Sequence, residues 1–215
     1  MPDLLAERAR DRVLDAAGEV FAERGFRRAT VREICRRANV NIASVNYYFK
    51  SKQDLYADVL ESAWRQARRK YPDHDGPGRG GSAEERLRRF VRTFLLRILD
   101  EGRPAWFGKL MAREIVEPTG ALDRVIERAI RPLHESLGGL VREMLGKGAD
   151  REEVRRHVFS ILGQCLFYRH GRHIIAKLYP EVGCDVAEIE RTAEHVASVA
   201  LSALRRPAIA GRHPR

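Results

Sequence analysis

Cysteine is scarce: three occur in 215 residues, at 35, 165 and 184, with no Cys-x-x-Cys pair, which excludes a disulfide framework and a zinc ribbon. Cys35 falls on the apolar face of a short amphipathic stretch, where a small buried hydrophobe is a better fit than a redox sensor. Long apolar runs are missing as well. No stretch approaches the ~20 residues of a membrane span, and Met1 to Arg12 alternates charges with short apolar side chains where a secretory leader needs an apolar centre. A cytoplasmic protein with no membrane partner is expected. There is no nucleophile elbow, no His-Glu-x-x-His and no dinucleotide-binding glycine motif, so neither catalytic residues nor a cofactor are expected and the chain does not read as an enzyme. Gly-Pro-Gly-Arg-Gly-Gly at 76–81 lacks both the strand that precedes a phosphate-cradling loop and the Gly-Lys-Ser/Thr that ends one.

Acids are scarce in one region only. The chain carries 40 Lys and Arg against 30 Asp and Glu, a formal charge of +10. Between Arg24 and Lys52, basic residues at 24, 27, 28, 32, 36, 37, 50 and 52 face the single acid Glu33. Such a patch attracts a polyanion, because each neutralised phosphate releases condensed counterions. A solvated basic face has the same composition, and charge alone does not separate the two. With 44% hydrophobic and 33% charged residues the chain can fold as a globular protein, in one large domain or two modest ones.

No alternating strand pattern is present, and nearly every segment has helical periodicity. Val13, Ala16, Ala17, Val20 and Phe21 form one stripe, which Gly25 ends in a left-handed cap. Thr30 and Glu33 have capping-box spacing for a short second helix with Val31, Ile34, Cys35 and Ala38 inward. Asn39, which tolerates positive φ, makes the turn into a third helix around Ile42 to Tyr48. Ser51 caps a fourth helix along Leu55, Val59, Leu60, Ala63 and Trp64 to about Lys70. Pro72 to Ser82, rich in Pro and Gly, reads as a loop. Beyond it, Ser82 with Glu85 opens a helix with Leu87, Phe90, Val91, Phe94, Leu95 and Ile98 inward, and Pro104 starts a short segment that ends at Glu117-Pro118-Thr119. The next helix runs from Leu122 to about Leu145 with a kink expected at Pro132. Asp150 with Glu153, and Asp185 with Glu188, cap the last two long helices, the final stripe being Ile189, Val196, Val199, Ala200 and Leu204.

Two short helices joined by a tight turn, inside a basic patch and braced by longer helices, have the helix-turn-helix layout. The first helix of such a pair crosses the phosphate backbone and the second enters the major groove, where base edges are distinguishable. In the third helix, Val45 and Phe49 are four apart and can face the core, leaving Asn41, Ile42, Ala43, Ser44, Asn46, Tyr47 and Tyr48 largely outside. Asn can read adenine, Ile and Ala can pack on a thymine methyl, and Tyr hydroxyls can reach phosphate. Thr30 at a helix N-terminus and Lys52 at the start of the next helix suit phosphate.

The string Thr30-Val31-Arg32-Glu33-Ile34, Ala38-Asn39-Val40-Asn41 and Ser44-Val45-Asn46-Tyr47-Tyr48-Phe49-x-Ser51-Lys52-x-x-Leu55 resembles the DNA-binding signature of the tetracycline-repressor (TetR/AcrR) family over about residues 10–60. It departs at Asn39 and Ala43, where glycine is usual, and at Asn46, where tyrosine is common. The resemblance implies DNA contacts at Thr30, Arg32, Asn41, Ile42, Ala43, Ser44, Asn46, Tyr47, Tyr48 and Lys52. Arg113-Glu114, Glu117-Pro118-Thr119, Arg131-Pro132 and Gly163-Gln164-Cys165 further resemble a CecR-like subgroup whose members answer to toxic compounds. Membership implies a homodimer joined by the last two long helices, a double-stranded DNA operator, and a small-molecule effector held in the helical domain of each subunit.

The expected architecture is all-α: a three-helix DNA-binding domain at 1–52, a connecting helix at 53–71, a loop at 72–81, a helical ligand-binding and dimerisation domain at 82–205 and a basic flexible tail at 206–215. The apolar run at 158–168 and the stripe ending at Leu204 suit an intersubunit four-helix bundle, though a core within one chain would use the same residues. Pocket candidates are Trp106, Phe107, Met111, Met144, Phe167, Tyr168 and His170, with Arg113, Glu114 and Gln164 as polar contacts, all of them residue types that cores and interfaces also use. His170 and His173 share a helix face but have no third ligand in view, so no metal site is expected.

Overall fold

The computed structural model describes residues 2–72, 80–99, 106–183 and 185–205, with the backbone alone for residues 2–7 and Phe107. Among the described residues the chain is all helical: α1 (Pro2–Arg28), α2 (Val31–Ala38), α3 (Ile42–Tyr48), α4 (Lys52–Lys70), α5 (Ala83–Leu99), α6 (Trp106–Val116), α7 (Leu122–Val125), a π turn (Ile126–Ile130), α8 (Arg131–Leu145), α9 (Arg151–His170), α10 (Arg172–Leu178) and α11 (Val186–Leu204). None of these helices is long and apolar enough to cross a membrane. Pro104, the glycine run except Gly80 and Gly81, Cys184 and the segment 206–215 lie outside the described residues.

Local chemistry sets the element ends. Gly25, at φ 74°, ψ 167°, breaks the helical run of α1, in a region of backbone space open to glycine. At α5 the capping box is reciprocal: Glu85 N–H donates to Ser82 Oγ at 3.3 Å and Ser82 N–H donates to Glu85 Oε2 at 2.7 Å. At α2 only the forward bond, Glu33 N–H to Thr30 Oγ1 at 3.2 Å, follows that pattern, because the Glu33 carboxylate pairs with Arg24 at 2.9 Å. Asp150 accepts from Glu152 N–H at 3.3 Å, one residue earlier than its spacing with Glu153 predicts. Upstream of Pro132 the chain widens into the π turn Ile126–Ile130. Proline's missing N–H and its ring's demand on the carbonyl four residues back account for that widening, which replaces a simple kink.

Packing divides the chain into two units, Met1–Tyr71 with Glu101–Pro132, and Pro72–Asp100 with Leu133–Arg215. In the first, Val13, Val20, Phe21, Ile34, Val45, Leu55 and Leu60 share a core with Trp106, Leu110, Ala121, Val125 and Ala129. Thus α6, α7 and the π turn pack with the N-terminal helices, although they lie far along the chain. Gly18 makes room for this: a Cβ there would stand 2.5 Å from the Trp106 ring. Phe21 and Tyr56 meet edge to face, their centroids 4.8 Å apart, at the centre of that core.

In the second unit α5 packs against α9 and α11. Leu87, Val91 and Leu95 are buried there, as are Ile189, Val196, Ala200 and Leu204. Val199, placed on the inner stripe by sequence, is exposed instead. At about 100° per residue it falls on the flank of the arc defined by Val196, Ala200 and Leu204. Arg88 pairs with Glu194 and Arg92 with Glu190 along the solvent edge of α5 and α11.

Candidate nucleic-acid interface

The α2–turn–α3 segment begins with Thr30 in extended conformation, its hydroxyl capping α2. Asn39 ends α2 in the left-handed region at φ 52°, ψ 53°, and the turn closes with Val40 N–H donating to Cys35 C=O at 3.0 Å. Asn41 then caps α3. Its Oδ1 accepts from Ser44 N–H at 2.8 Å and from the Ser44 hydroxyl at 2.9 Å.

Two side chains fix α3 from behind. Val45 and Phe49 are buried in the first unit's core, and the Arg10 guanidinium lies over the Phe49 ring at 5.5 Å. What remains faces outward: Asn41, Ala43 and Asn46 are exposed, Ser44 and Tyr48 are half-buried, Ile42 is 53% exposed and Tyr47 83% exposed. Ile42 and Tyr47 thus add an apolar side chain and a phenol to the polar groups that this short helix presents to solvent. Tyr47 and Tyr48 stand edge to face at 5.2 Å.

Lys52 is more constrained than its position at the start of α4 implies. Its ammonium donates to Arg27 C=O at 3.3 Å and sits 4.7 Å from the Phe26 ring centre, and burial draws its pKa below the usual lysine value. Ser51, just before it, caps α4 by accepting from Asp54 N–H at 3.0 Å.

The basic patch is sorted by ion pairing. Arg24 meets Glu33 at 2.9 Å, and Arg37 clasps Glu23 with bonds of 2.8 and 3.0 Å while standing 3.6 Å from Glu19. The hydrogen bond from Arg37 holds the Glu23 carboxyl below its ordinary pKa. Arg27, Arg28, Arg32, Arg36 and Lys50 are exposed, and no acid among the described residues pairs with them.

The first unit also holds a buried polar knot that has no local signature in the sequence. Glu114 is fully buried; its Oε2 accepts from the Tyr56 hydroxyl at 3.1 Å, and its Oε1 accepts from Thr119 N–H at 2.7 Å and the Thr119 hydroxyl at 2.9 Å. Burial, then the Glu114 charge and hydrogen bond, push the Tyr56 pKa upward. Nearby, Asp58 pairs with Arg10 at 2.7 Å and with Arg124, and Glu61 pairs with Arg128 at 2.8 Å, so α4 is tied to α1, α7 and the π turn.

The pocket candidates do not gather in one unit. Trp106 and Met111 belong to the first unit's core, Glu114 is committed to the knot, and Arg113 Nη2 approaches Glu23 C=O at 3.4 Å. The Phe107 side chain lies outside the described ones. Met144 and Tyr168 are half-buried in the second unit, Phe167 and His170 are exposed, and Gln164 Nε2 donates to Ser160 C=O at 3.3 Å. No group of three or more His, Cys, Asp or Glu among the described residues could hold a metal.

Comparison with known proteins adds two family matches. Residues 13–59 match the bacterial regulatory proteins of the tetR family, and residues 83–204 match the C-terminal domain of the HTH-type transcriptional dual regulator CecR. The HTH-type transcriptional dual regulator CecR of Shigella flexneri is 32% identical over 180 residues, 79% of each chain. The HTH-type transcriptional repressor NicS of Pseudomonas putida is 27% identical over 214 residues, 94% of each chain. The fatty acid degradation regulator FadR from Bacillus halodurans superposes with a TM-score of 0.67 at 20% identity, covering 91% of this chain and 99% of that one. All are regulators, and none of these matches is an enzyme.

Proposed function

Since the chain belongs to the tetR family of bacterial regulatory proteins and carries a CecR-type C-terminal domain, we propose that it works as a homodimeric repressor that holds a palindromic operator and lets go when a small molecule binds. The observation that carries the DNA half is the outward face of α3, with Ile42, Asn46 and Tyr47 open to solvent while Val45 and Phe49 lock the helix from behind. In this reading Ile42, Ala43 and Asn46 meet base edges. Thr30, Arg32, Ser44, Tyr47, Tyr48 and Lys52 meet phosphate. Asn41 Oδ1 is occupied by Ser44, so Asn41 serves through its amide NH2 as a phosphate donor and not as a bidentate adenine reader.

Dimer formation is supported by α9. Phe159 is 56% exposed and Phe167 57% exposed, with the exposed Gly163 midway between them, so one turn-spaced row of apolar and small residues lies outside the subunit core. A twofold axis through that row would make a self-complementary contact with a second copy. Two recognition helices then need a separation of about 34 Å, or a multiple of it, to enter successive major grooves. An effector that binds better to a different separation releases the DNA, by no more than its differential affinity for the two states. The chain divides, in this proposal, into a DNA-binding domain at 1–52, a connecting helix at 53–71 and, within 82–205, an effector and dimerisation domain built from the residues outside 106–130, which pack with the N-terminal helices. Because Trp106 and Glu114 are engaged in internal packing, effector contacts are proposed around Met144, Gln164, Tyr168 and His170 of the second unit.

Selection of bound duplexes from a random pool tests the reading. Recovery of a symmetric site with half-sites one helical turn apart, or a multiple of it, is the expected result; recovery of no preferred sequence refutes it. The dual-regulator description of the Shigella flexneri relative favours a second reading, in which the same DNA complex activates some promoters and represses others. Reporter assays with the selected site placed upstream of, or overlapping, a promoter distinguish the two.

A further inference from the structure

Two adjacent arginines on α2, identical in type and charge, have opposite surroundings. Arg37 gives both terminal nitrogens to Glu23, at 2.8 and 3.0 Å, and lies 3.6 Å from Glu19 and 3.9 Å from Glu33. Arg36 is exposed and pairs with no acid among the described residues. One residue along a helix is a turn of about 100°, so the two point to different faces, whereas Arg32 and Arg36, four apart, form one row. Where α2 meets α1 on the Arg37 side, Glu19 and Glu23 of α1 and Glu33 of α2 stand against Arg24 of α1 and Arg37 of α2, which leaves that side net negative. The Arg32–Arg36 row has no such compensation.

We propose that Arg36 extends the phosphate grip of Arg32 along the DNA backbone, an assignment beyond the contacts that family resemblance supplies. Arg37, in contrast, is a strut that holds α2 against α1 and gives the DNA no net charge. The proposal rests on the DNA-binding reading. Its physical basis is counterion release. A guanidinium already neutralised by a carboxylate displaces few of the cations condensed on the duplex, and meeting a phosphate would strip it from Glu23. An uncompensated guanidinium gains a partner and frees ions from the duplex at the same time.

The test is the salt dependence of binding to a dye-labelled duplex selected by the unaltered protein, and to a random-sequence duplex of the same length. Arg36→Gln is expected to weaken binding on both and to reduce the slope of log affinity against log salt by about 0.9 for each arginine removed from the complex. Arg36→Lys keeps the charge and is expected to keep the slope. Glu23→Gln combined with Arg37→Gln removes the strut without changing net charge, and is expected to keep the slope while lowering the melting temperature. An unchanged slope in Arg36→Gln, or a loss in the Glu23/Arg37 double variant equal to that of Arg36→Gln, overturns the assignment but leaves DNA binding standing. Unaltered protein that binds neither duplex overturns the DNA-binding reading itself. The comparison of Arg36→Gln with Arg36→Lys decides the matter even if the double variant does not fold.

Discussion

The Tyr56 hydroxyl donates to Glu114 Oε2 at 3.1 Å, joining α4 to α6 across 58 positions of sequence. Glu114 has no solvent exposure, and its other oxygen is held by Thr119. Glu114→Ala therefore strands the buried Tyr56 hydroxyl and takes the partner from the part-buried Thr119 amide. A loss of about 1–3 kcal/mol for the stranded hydroxyl is expected, read as a lower urea midpoint. A midpoint equal to that of the unaltered protein would show the knot to be without structural weight.

The same pair sets an alkaline limit. Burial and the Glu114 carboxylate raise the folded-state pKa of Tyr56 above the ordinary value of about 10. The native state then holds its proton where the unfolded state has lost it. Stability from this source is full below pH 10 and falls as the pH rises from there towards the folded-state pKa. Tyr56→Phe is expected to flatten that decline in alkaline thermal melts; an equal decline in both proteins would assign it to other groups.

Asn39 occupies left-handed backbone space at φ 52°. Asn39→Gly is expected to be tolerated with little change in melting temperature. Asn39→Val places a branched side chain where L residues are strained, at a cost of about 1–2 kcal/mol, and moves α3 away from its seat on Val45 and Phe49. Loss of duplex binding together with stability is expected for Val and not for Gly.

Asn41 and Asn46, five positions apart on or beside α3, are expected to fail differently. Asn41→Ala removes the α3 cap, costs about 1 kcal/mol, and weakens binding on all sequences alike. Asn46→Ala leaves the fold unchanged and relaxes preference at particular base pairs, by about 1–3 kcal/mol of discrimination at each. Sequence preferences measured for both variants check this. Identical profiles for Asn46→Ala and the unaltered protein would remove base reading from that residue.

Phe159→Glu places a charge in the exposed α9 row. Sedimentation is expected to show a shift from dimer to monomer, with loss of affinity for a two-half-site duplex and less loss for a single half-site. A dimer that survives both Phe159→Glu and Phe167→Glu would mean that the subunits meet elsewhere.

Helix positions were legible in the sequence because they depend on near neighbours. The stripe from Val13 to Phe21, the Ser82–Glu85 box and the Asn39 turn each require residues only a few places apart, and each has the expected form. The outward character of Asn46 and Tyr47 follows from the same periodicity once Val45 and Phe49 turn inward. Partners distant in sequence were not legible. Nothing local distinguishes Arg36 from Arg37, since the difference comes from Glu23 on another helix. Trp106 and Glu114 have the composition of a pocket lining, yet Gly18 and Tyr56 receive them in a core that no periodicity along α6 could identify. Before Pro132 the sequence predicts a kink and the structure has a π turn, because proline marks the disturbance without stating how the carbonyls upstream accommodate it.

The Trp106 ring against Gly18 bears on how this protein can be dissected. A fragment ending at Tyr71 would lack Trp106, Leu110, Ala121, Val125 and Ala129, leaving α1 and α4 with uncovered apolar surface and a tendency to aggregate. A chimera that borrows another relative's DNA-reading head by a single splice near residue 72 inherits the same mismatch. Transplantation calls for two splices, so that residues 106–130 travel with the head they complete.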